Sequence, residues 1–390
     1  MDQSTDNVQD GELFPTYKRW NVTFEKASGE TITDKSGKTY MDFMSGIGVV
    51  NLGHGHPTVV QAVENQLYKG WHASNFFHYE EQQQAVQLLT THSCGDLVFF
   101  ANSGAEANEA AIKLARKHTG RRKIISFVQS FHGRTFGSMA ATGQESIHKG
   151  FGPMLEGFEY LPYNDVNELE KAVDENTAAV ILEVVQGEGG VHPATDDFLK
   201  AIEKITQKSG SLLICDEIQT GLGRTGKFFA HEHSGIKPDI ITTAKALGNG
   251  FPVGAMIGKR YLKEAFGPGS HGTTFGGNPL AMTAVNATLQ TLLKEGWIEA
   301  AASKGEQFLK ELHHQLIPLK NVIEIRGLGM MAGIELTNPA AEKIMALQDK
   351  GMLVIAAGPN VIRLLPPLTT EWDTLMKGVQ LLKEVLSEPK

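Results

Sequence analysis

Cysteine is scarce in this sequence: only Cys94 and Cys215 occur among 390 residues. Both lie in or beside apolar stretches, which excludes a disulfide framework and suits a reducing compartment. An excess of basic residues is also missing. The 36 Lys and Arg are outnumbered by 44 Asp and Glu, for a net charge of −8, so neither nucleic acid nor an anionic membrane is expected as a partner. No run approaches the roughly 18 uninterrupted apolar residues of a membrane span. The opening MDQSTDNVQDGELF is polar and acidic, without the basic and apolar regions of a signal peptide, so the expected location is the cytoplasm. Disorder is expected over the first dozen residues, up to Phe14 or Tyr17. The paired histidines His54/His56, His231/His233 and His313/His314 lack a third ligand at zinc spacing, so no metal site is expected.

The chain is too long for one ordinary core and calls for two domains. Between residues 97 and 258, short apolar runs alternate with helical patterns: LVFFAN (97–102), KIISFV (123–128), AAVILEVV (178–185), SLLICDE (211–217), DIITTA (239–244) and VGAMIG (253–258). These runs are almost continuously apolar, as strands covered on both faces are. TDDFLKAIEKITQKSG (195–210) is the clearest helix, with Phe198, Ile202 and Ile205 on one stripe and Gly210 at the C-cap. The pattern predicts an α/β fold with a mostly parallel sheet. Short strands with KASGE and DKSGK turns are expected over 15–50. Long helices, three strand-like runs and a closing helix after residue 280 suit a second, smaller α+β domain. The stripe Phe308, Leu312 and Leu316 reads as core.

GLGRTG (221–226) matches the spacing of a dinucleotide fingerprint and, with Lys227, part of a P-loop. The residues after it, KFFAHEHSG, make a poor helix. The nearest acid, Asp239, precedes its strand, and Phe228 stands where a P-loop needs Ser or Thr. A nucleotide-binding protein therefore remains only as the alternative of another class.

The carboxylate before that loop carries more. Asp216 and Glu217 end one apolar run, and Lys245 ends another, where an ammonium is expensive to bury unless paired or chemically used. A plain Asp216–Lys245 salt bridge is the bland alternative. Ser103-Gly104-Ala105 sits between a strand and a helix, where free backbone N–H groups form an anion cup. FHGRT ends another strand with an aromatic, Phe131, and a guanidinium, Arg134. Phosphate cup, aromatic plate, carboxylate and lysine together describe a site for pyridoxal phosphate. The lysine condenses with the aldehyde and then shuttles a proton, and the acid keeps the pyridine nitrogen protonated. Glu217, adjoining Asp216, is counted among the cofactor-binding residues; Ile218 and Phe131 could sandwich the ring, and Gln219 could bond its phenolic oxygen.

From about residue 12 to the end, the chain resembles the class III (ω-amino) aminotransferases of fold type I. The resemblance is carried by SGIGVVNLGHGHP (45–57), NSGAEANEAAIKLAR (102–116), FHGRT (131–135), EVVQGEGGV (183–191), DEIQTGLGRTG (216–226), AKALGNGFPVGA (244–255), HGTTFGGNP (271–279) and VIRLLPPL (361–368). It implies a large, mostly parallel seven-stranded domain over 46–280 and a small domain over 281–390, joined by the segment 1–45. Within the class it most resembles the branch that transaminates N-acetylornithine with 2-oxoglutarate. Ornithine, succinyldiaminopimelate and 4-aminobutyrate remain alternative donors.

The resemblance further implies that Lys245 bonds the cofactor, that Asp216 meets its ring nitrogen, and that Gly104 and Ala105 hold its phosphate. It assigns Arg134 to a substrate α-carboxylate and Thr273 to substrate contact. Thr274 would reach the phosphate of the neighbouring subunit, which implies a homodimer. Arg363 would take the α-carboxylate of glutamate or 2-oxoglutarate, with Glu188 as its gate: closed, it neutralises the arginine; open, it frees it for a bidentate partner. Ile47 stands where ornithine aminotransferases carry a substrate-binding tyrosine, which favours an acylated donor. Val184 replaces a frequent proline, and Ile218 a common valine.

Overall fold

The structure, a computed structural model, describes residues 12–387. The expected disorder of the first dozen residues falls almost wholly outside them.

The large sheet has seven strands: β1 (Leu97–Ala101), β2 (Lys123–Phe127), β3 (Phe158–Leu161), β4 (Thr177–Glu183), β5 (Leu212–Asp216), β6 (Ile240–Thr243) and β7 (Gly254–Gly258). Their spatial order is β1-β7-β6-β5-β4-β2-β3. All pairings are parallel except those of β7, which runs against both β6 and β1. Six of the strands correspond to the predicted apolar runs. The seventh, β3, reads FEYL and lies at the edge, where half-burial erases the continuous apolar signature.

Period-two alternation explains why β4 and β5 are apolar throughout. Ile181 and Ile214 face the helix α1 (Gly104–Thr119), packing with Ala110, Ala111 and Leu114. Val180, Leu182, Leu213 and Cys215 face the opposite layer, against Phe198 and Ile202. That opposite layer holds the predicted helix at Asp196–Ser209, capped by the Thr195 side chain and by Gly210 at φ +69°.

A second sheet is antiparallel, in the order Val322–Leu328, Met331–Leu336, Val361–Leu364, Ile355–Ala357. The N-terminal strands Phe24–Ser28, Thr31–Asp34 and Thr39–Asp42 form a third, completed by Met352–Leu353 from the C-terminal region. Phe308, Leu312 and Leu316 are fully buried in the main core.

GLGRTG forms turns, no helix starts within it, only a single 3-10 turn follows at Ala230–His233, and all six residues are buried. A Cβ on Gly223 would stand 2.9 Å from Leu368 Cδ1, and one on Gly226 would stand 2.7 Å from Ala302. Close packing of backbone against protein uses these glycines, leaving no room for a dinucleotide.

Candidate active site

Strand ends and helix starts converge on a cavity of about 410 Å3 lined by Ser103, Gly104, Ala105, Phe131, Arg134, Asp216, Ile218, Gln219 and Lys245. Asp216 closes β5 on the face shared with Leu212 and Ile214, so it points toward α1. One turn into α1, Asn108 Nδ2 donates to Asp216 Oδ2 at 2.7 Å, and His132 Nδ1 lies 2.8 Å from the same oxygen. Thr242 Oγ1 donates to Asn108 Oδ1 at 2.7 Å, which fixes which end of the amide faces the acid. Ile218 N donates to Asp216 Oδ1 at 3.1 Å. The carboxylate is thus locked in place, with acceptor capacity left over.

Lys245 follows β6 with φ +43°, a left-handed conformation that a non-glycine residue adopts only when its surroundings compel it. The turn is braced by Asn249, whose side chain accepts from Leu52 N at 2.9 Å and donates to Gly53 O at 3.1 Å. Burial drives the Lys245 pKa below the usual lysine range. Glu188 and Asp216 pull against that shift, and Arg363 adds to it. The amine makes no hydrogen bond or ion pair with any described residue, so the bland alternative, a plain salt bridge to Asp216, is absent.

At the start of α1, Ser103 is the N-cap, accepting from Glu106 N at 3.2 Å. Gly104 and Ala105 sit in the first turn, where N–H groups have no intrahelical acceptor. A Cβ on Gly104 would stand 2.7 Å from Ile218 Cδ1, and one on Gly133 would stand 2.8 Å from Ala105 Cβ. Glycine therefore lets both the Ile218 side chain and the FHGRT turn close on the cup. The Arg134 guanidinium lies 5.7 Å from the Phe131 ring centroid.

Arg363 and Glu188 form a bidentate pair, Nη1 to Oε1 at 2.8 Å and Nη2 to Oε2 at 3.1 Å. Burial pushes the Glu188 pKa up, but the Arg363 charge and hydrogen bond outweigh it and hold the carboxyl below its ordinary range. Gln219 lines the cavity, yet its Oε1 accepts from Arg363 Nη1 at 3.0 Å. Its amide therefore links the cavity to the pair and is already engaged there.

Three expected residues stand elsewhere. Glu217 is a correction to the cofactor set: one position past Asp216, it turns to the opposite face and bonds the N and Nδ1 of His231 at 2.8 and 3.0 Å. Thr274 is exposed and lies outside its own chain's cavity. Thr273 lies beside the cavity, its Oγ1 accepting from Asn102 Nδ2 at 3.1 Å.

Asn108, His132 and Glu183 were not singled out from the sequence. Glu183 lines the cavity, accepts from Phe131 N at 2.9 Å and Gly187 N at 3.1 Å, and is pushed up to about 7 by burial, with Asp216 adding to the effect. A carboxylate inside the run VILEVV and an amide on the alanine face of α1 were the signals available.

These residues fit pyridoxal phosphate: an unpartnered amine, an anchored carboxylate, an anion cup that only glycine keeps open, and an aromatic wall. The chain belongs to the class III aminotransferases, whose family model, aminotransferase class-III, matches residues 15–386. It is 58% identical over 376 residues to the acetylornithine aminotransferase of Bacillus subtilis, covering 96% of this chain and 97% of the relative. Against that of Streptococcus mutans the identity is 50%, over 96% and 99% of the two chains. Among solved structures, acetylornithine aminotransferase from Elizabethkingia anophelis matches with a TM-score of 0.87 at 34% identity, over 96% of each chain. Ornithine aminotransferase from Toxoplasma gondii ME49 matches at 0.93 with 31% identity, over 96% of this chain and 92% of the other.

Proposed function

We propose that the chain transfers the side-chain amino group of N-acetylornithine to 2-oxoglutarate, yielding N-acetylglutamate 5-semialdehyde and glutamate. The observation that carries this reading is the Arg363–Glu188 pair at the rim of the lysine cavity. Such an enzyme must accept a dicarboxylate in one half-reaction and an uncharged chain end bearing an amine in the other. A carboxylate that can leave its arginine serves both.

Pyridoxal phosphate supplies an electron sink when bound. The N–H groups of Gly104 and Ala105, with Ser103 beside them, hold its phosphate. Phe131 and Ile218 would flank its ring, and Asp216, oriented by Asn108 and His132, would keep the ring nitrogen protonated. Lys245, whose pKa burial lowers, would be the residue that holds the cofactor, and its Nζ would carry the substrate proton. Arg134 binds the α-carboxylate of the acetylated donor, with Thr273 near the substrate. Thr274, exposed in its own chain, supports a homodimer in which it reaches the partner's phosphate.

No helix among the described residues is long and apolar enough to cross a membrane. We place the enzyme in the cytoplasm. The pairing of Thr39–Asp42 with Met352–Leu353 supports a small domain built from 281–390 and the segment up to residue 45, against a large domain over 46–280.

Steady-state kcat/KM on N-acetylornithine against free ornithine, succinyldiaminopimelate and 4-aminobutyrate tests the reading. Preference for the acetylated donor is expected; preference for free ornithine would overturn it.

A further inference from the structure

The glycine-rich loop after Asp216 lies outside the cavity, and its one charged residue, Arg224, is fully buried. Arg224 Nη1 donates to the carbonyls of Met330 (2.9 Å) and Pro366 (2.5 Å), and Nη2 donates to Asn51 Oδ1 at 2.7 Å. Among the described residues, no carboxylate bonds to it. Burial pulls its pKa down, with Asp42 the one acid that opposes the shift. A guanidinium in such surroundings is costly unless its geometry is used.

The geometry joins two halves of the site. On one side, the loop continues from Asp216, with Gly221 N bonded to Glu217 O at 3.0 Å. On the other, Pro366 lies three residues after Arg363 and has no N–H of its own. Beyond the Leu365 N–H, which donates to Phe43 O at 2.7 Å, the chain is held through carbonyls: Leu365 O accepts from Ser45 Oγ at 2.5 Å, and Pro366 O accepts from Arg224. Asn51 closes the ring, receiving Leu368 N on its carbonyl and donating Nδ2 to Leu222 O, both at 2.8 Å. Met330 N returns a 2.9 Å bond to the Arg224 carbonyl. Apart from Glu188 and the Gln219 amide, the Arg363 guanidinium has only a 3.5 Å contact to Ala356 O, and its Nε has no partner among the described residues. Once the Glu188 carboxylate swings away, the place of Arg363 is set by Gln219 and by its own backbone.

We propose that Arg224 is a positioning residue that sets the place of Arg363, and through it the affinity for the dicarboxylate substrate, without touching substrate or cofactor. Only a planar fork reaches three acceptors on three segments at once; a lysine ammonium at the same position does not. The inference rests on the transaminase reading and deepens it.

The test is Arg224→Lys in the holoenzyme, with the two half-reactions followed separately. The KM for 2-oxoglutarate is expected to rise about tenfold or more, because small displacements of a binding group are expensive. The KM for N-acetylornithine and the retained cofactor stay at wild-type values. In an Arg363→Lys background, adding Arg224→Lys is expected to change the 2-oxoglutarate KM no further, because both act through one group. Equal losses in both half-reactions, simple additivity with Arg363→Lys, or an unchanged KM would each overturn the proposal. Should Arg224→Lys not fold, Asn51→Ser removes one of the three acceptors and must shift the same KM in the same direction; no shift refutes the idea. A wild type that moves no amino group to 2-oxoglutarate would sink the functional reading and this inference together. An active wild type whose variants show no split would sink the inference alone.

Discussion

Arg363 holds Glu188 by both terminal guanidinium nitrogens, and the two partners differ in exposure: the arginine side chain is fully buried, whereas the glutamate keeps 31% of its surface exposed. The carboxylate is therefore the member able to swing away, and the arginine the fixed one.

Removing the mobile partner by Glu188→Ala leaves a buried, uncompensated guanidinium bonded to Gln219, which lines the cavity. The KM for 2-oxoglutarate should fall and kcat/KM for the amine donor should fall with it. Removing the fixed partner by Arg363→Leu deletes a charge-assisted bidentate contact of about 1.5–3 kcal/mol. That corresponds to roughly a tenfold to hundredfold rise in the 2-oxoglutarate KM. Separate half-reaction kinetics check both.

Asp216→Asn keeps the shape of the acid and removes its charge, while Asn108 and His132 still surround it. A loss of about 100-fold or more in kcat is expected, the scale seen when one preorganised electrostatic group is removed. His132→Asn, which only loosens the acid, should cost less. Turnover measured at saturating substrate distinguishes the two.

His231 and Glu217 form a buried pair at 3.0 Å. Burial alone would lower the His231 pKa, but Cys94 and Glu217 overcome it and raise the value from 6.5 to about 9. The stabilisation is complete below pH 6.5 and is lost as pH rises through 9. On the acid side, the lowered pKa of Glu217 protects its share until the pH falls below 4.5 and through its folded value. Thermal midpoints should decline between pH 6.5 and 9 in the parent. His231→Gln should flatten that decline and lower the thermal midpoint at neutral pH, because it removes the charge opposite a buried carboxylate that keeps only the backbone N–H of residue 231 and the Thr220 hydroxyl.

Gly104→Ala places a methyl 2.7 Å from Ile218 Cδ1, the free end of a flexible side chain. The helix tolerates the change, and the anion cup narrows. The melting temperature of the apoprotein should hold while the cofactor is retained more weakly, as equilibrium dialysis against free pyridoxal phosphate would reveal.

Six of the seven large-sheet strands were legible because burial on two faces makes them continuously apolar, and β3 was not because an edge strand escapes that demand. Lys245, Asp216 and Gly104 were legible for a related reason: each is the wrong residue type for the bland role its position suggests. Glu217 misled because it adjoins Asp216 in sequence, while the two-residue strand period sends it to the other face. Asn108 and His132 went unassigned because their work is on another side chain, which no local spacing reveals. The glycines of GLGRTG imitate a nucleotide motif because close backbone packing, whether on phosphate or on Ala302, selects the same residue.

The central claim is that Lys245 and Asp216 serve one bound pyridine ring. Borohydride reduction of the holoprotein followed by peptide mapping tests it most directly. The account predicts a cofactor-derived mass on Lys245 alone, and that Asp216→Asn still takes the label there while losing turnover. A label on another lysine, or none on protein saturated with pyridoxal phosphate, would contradict it.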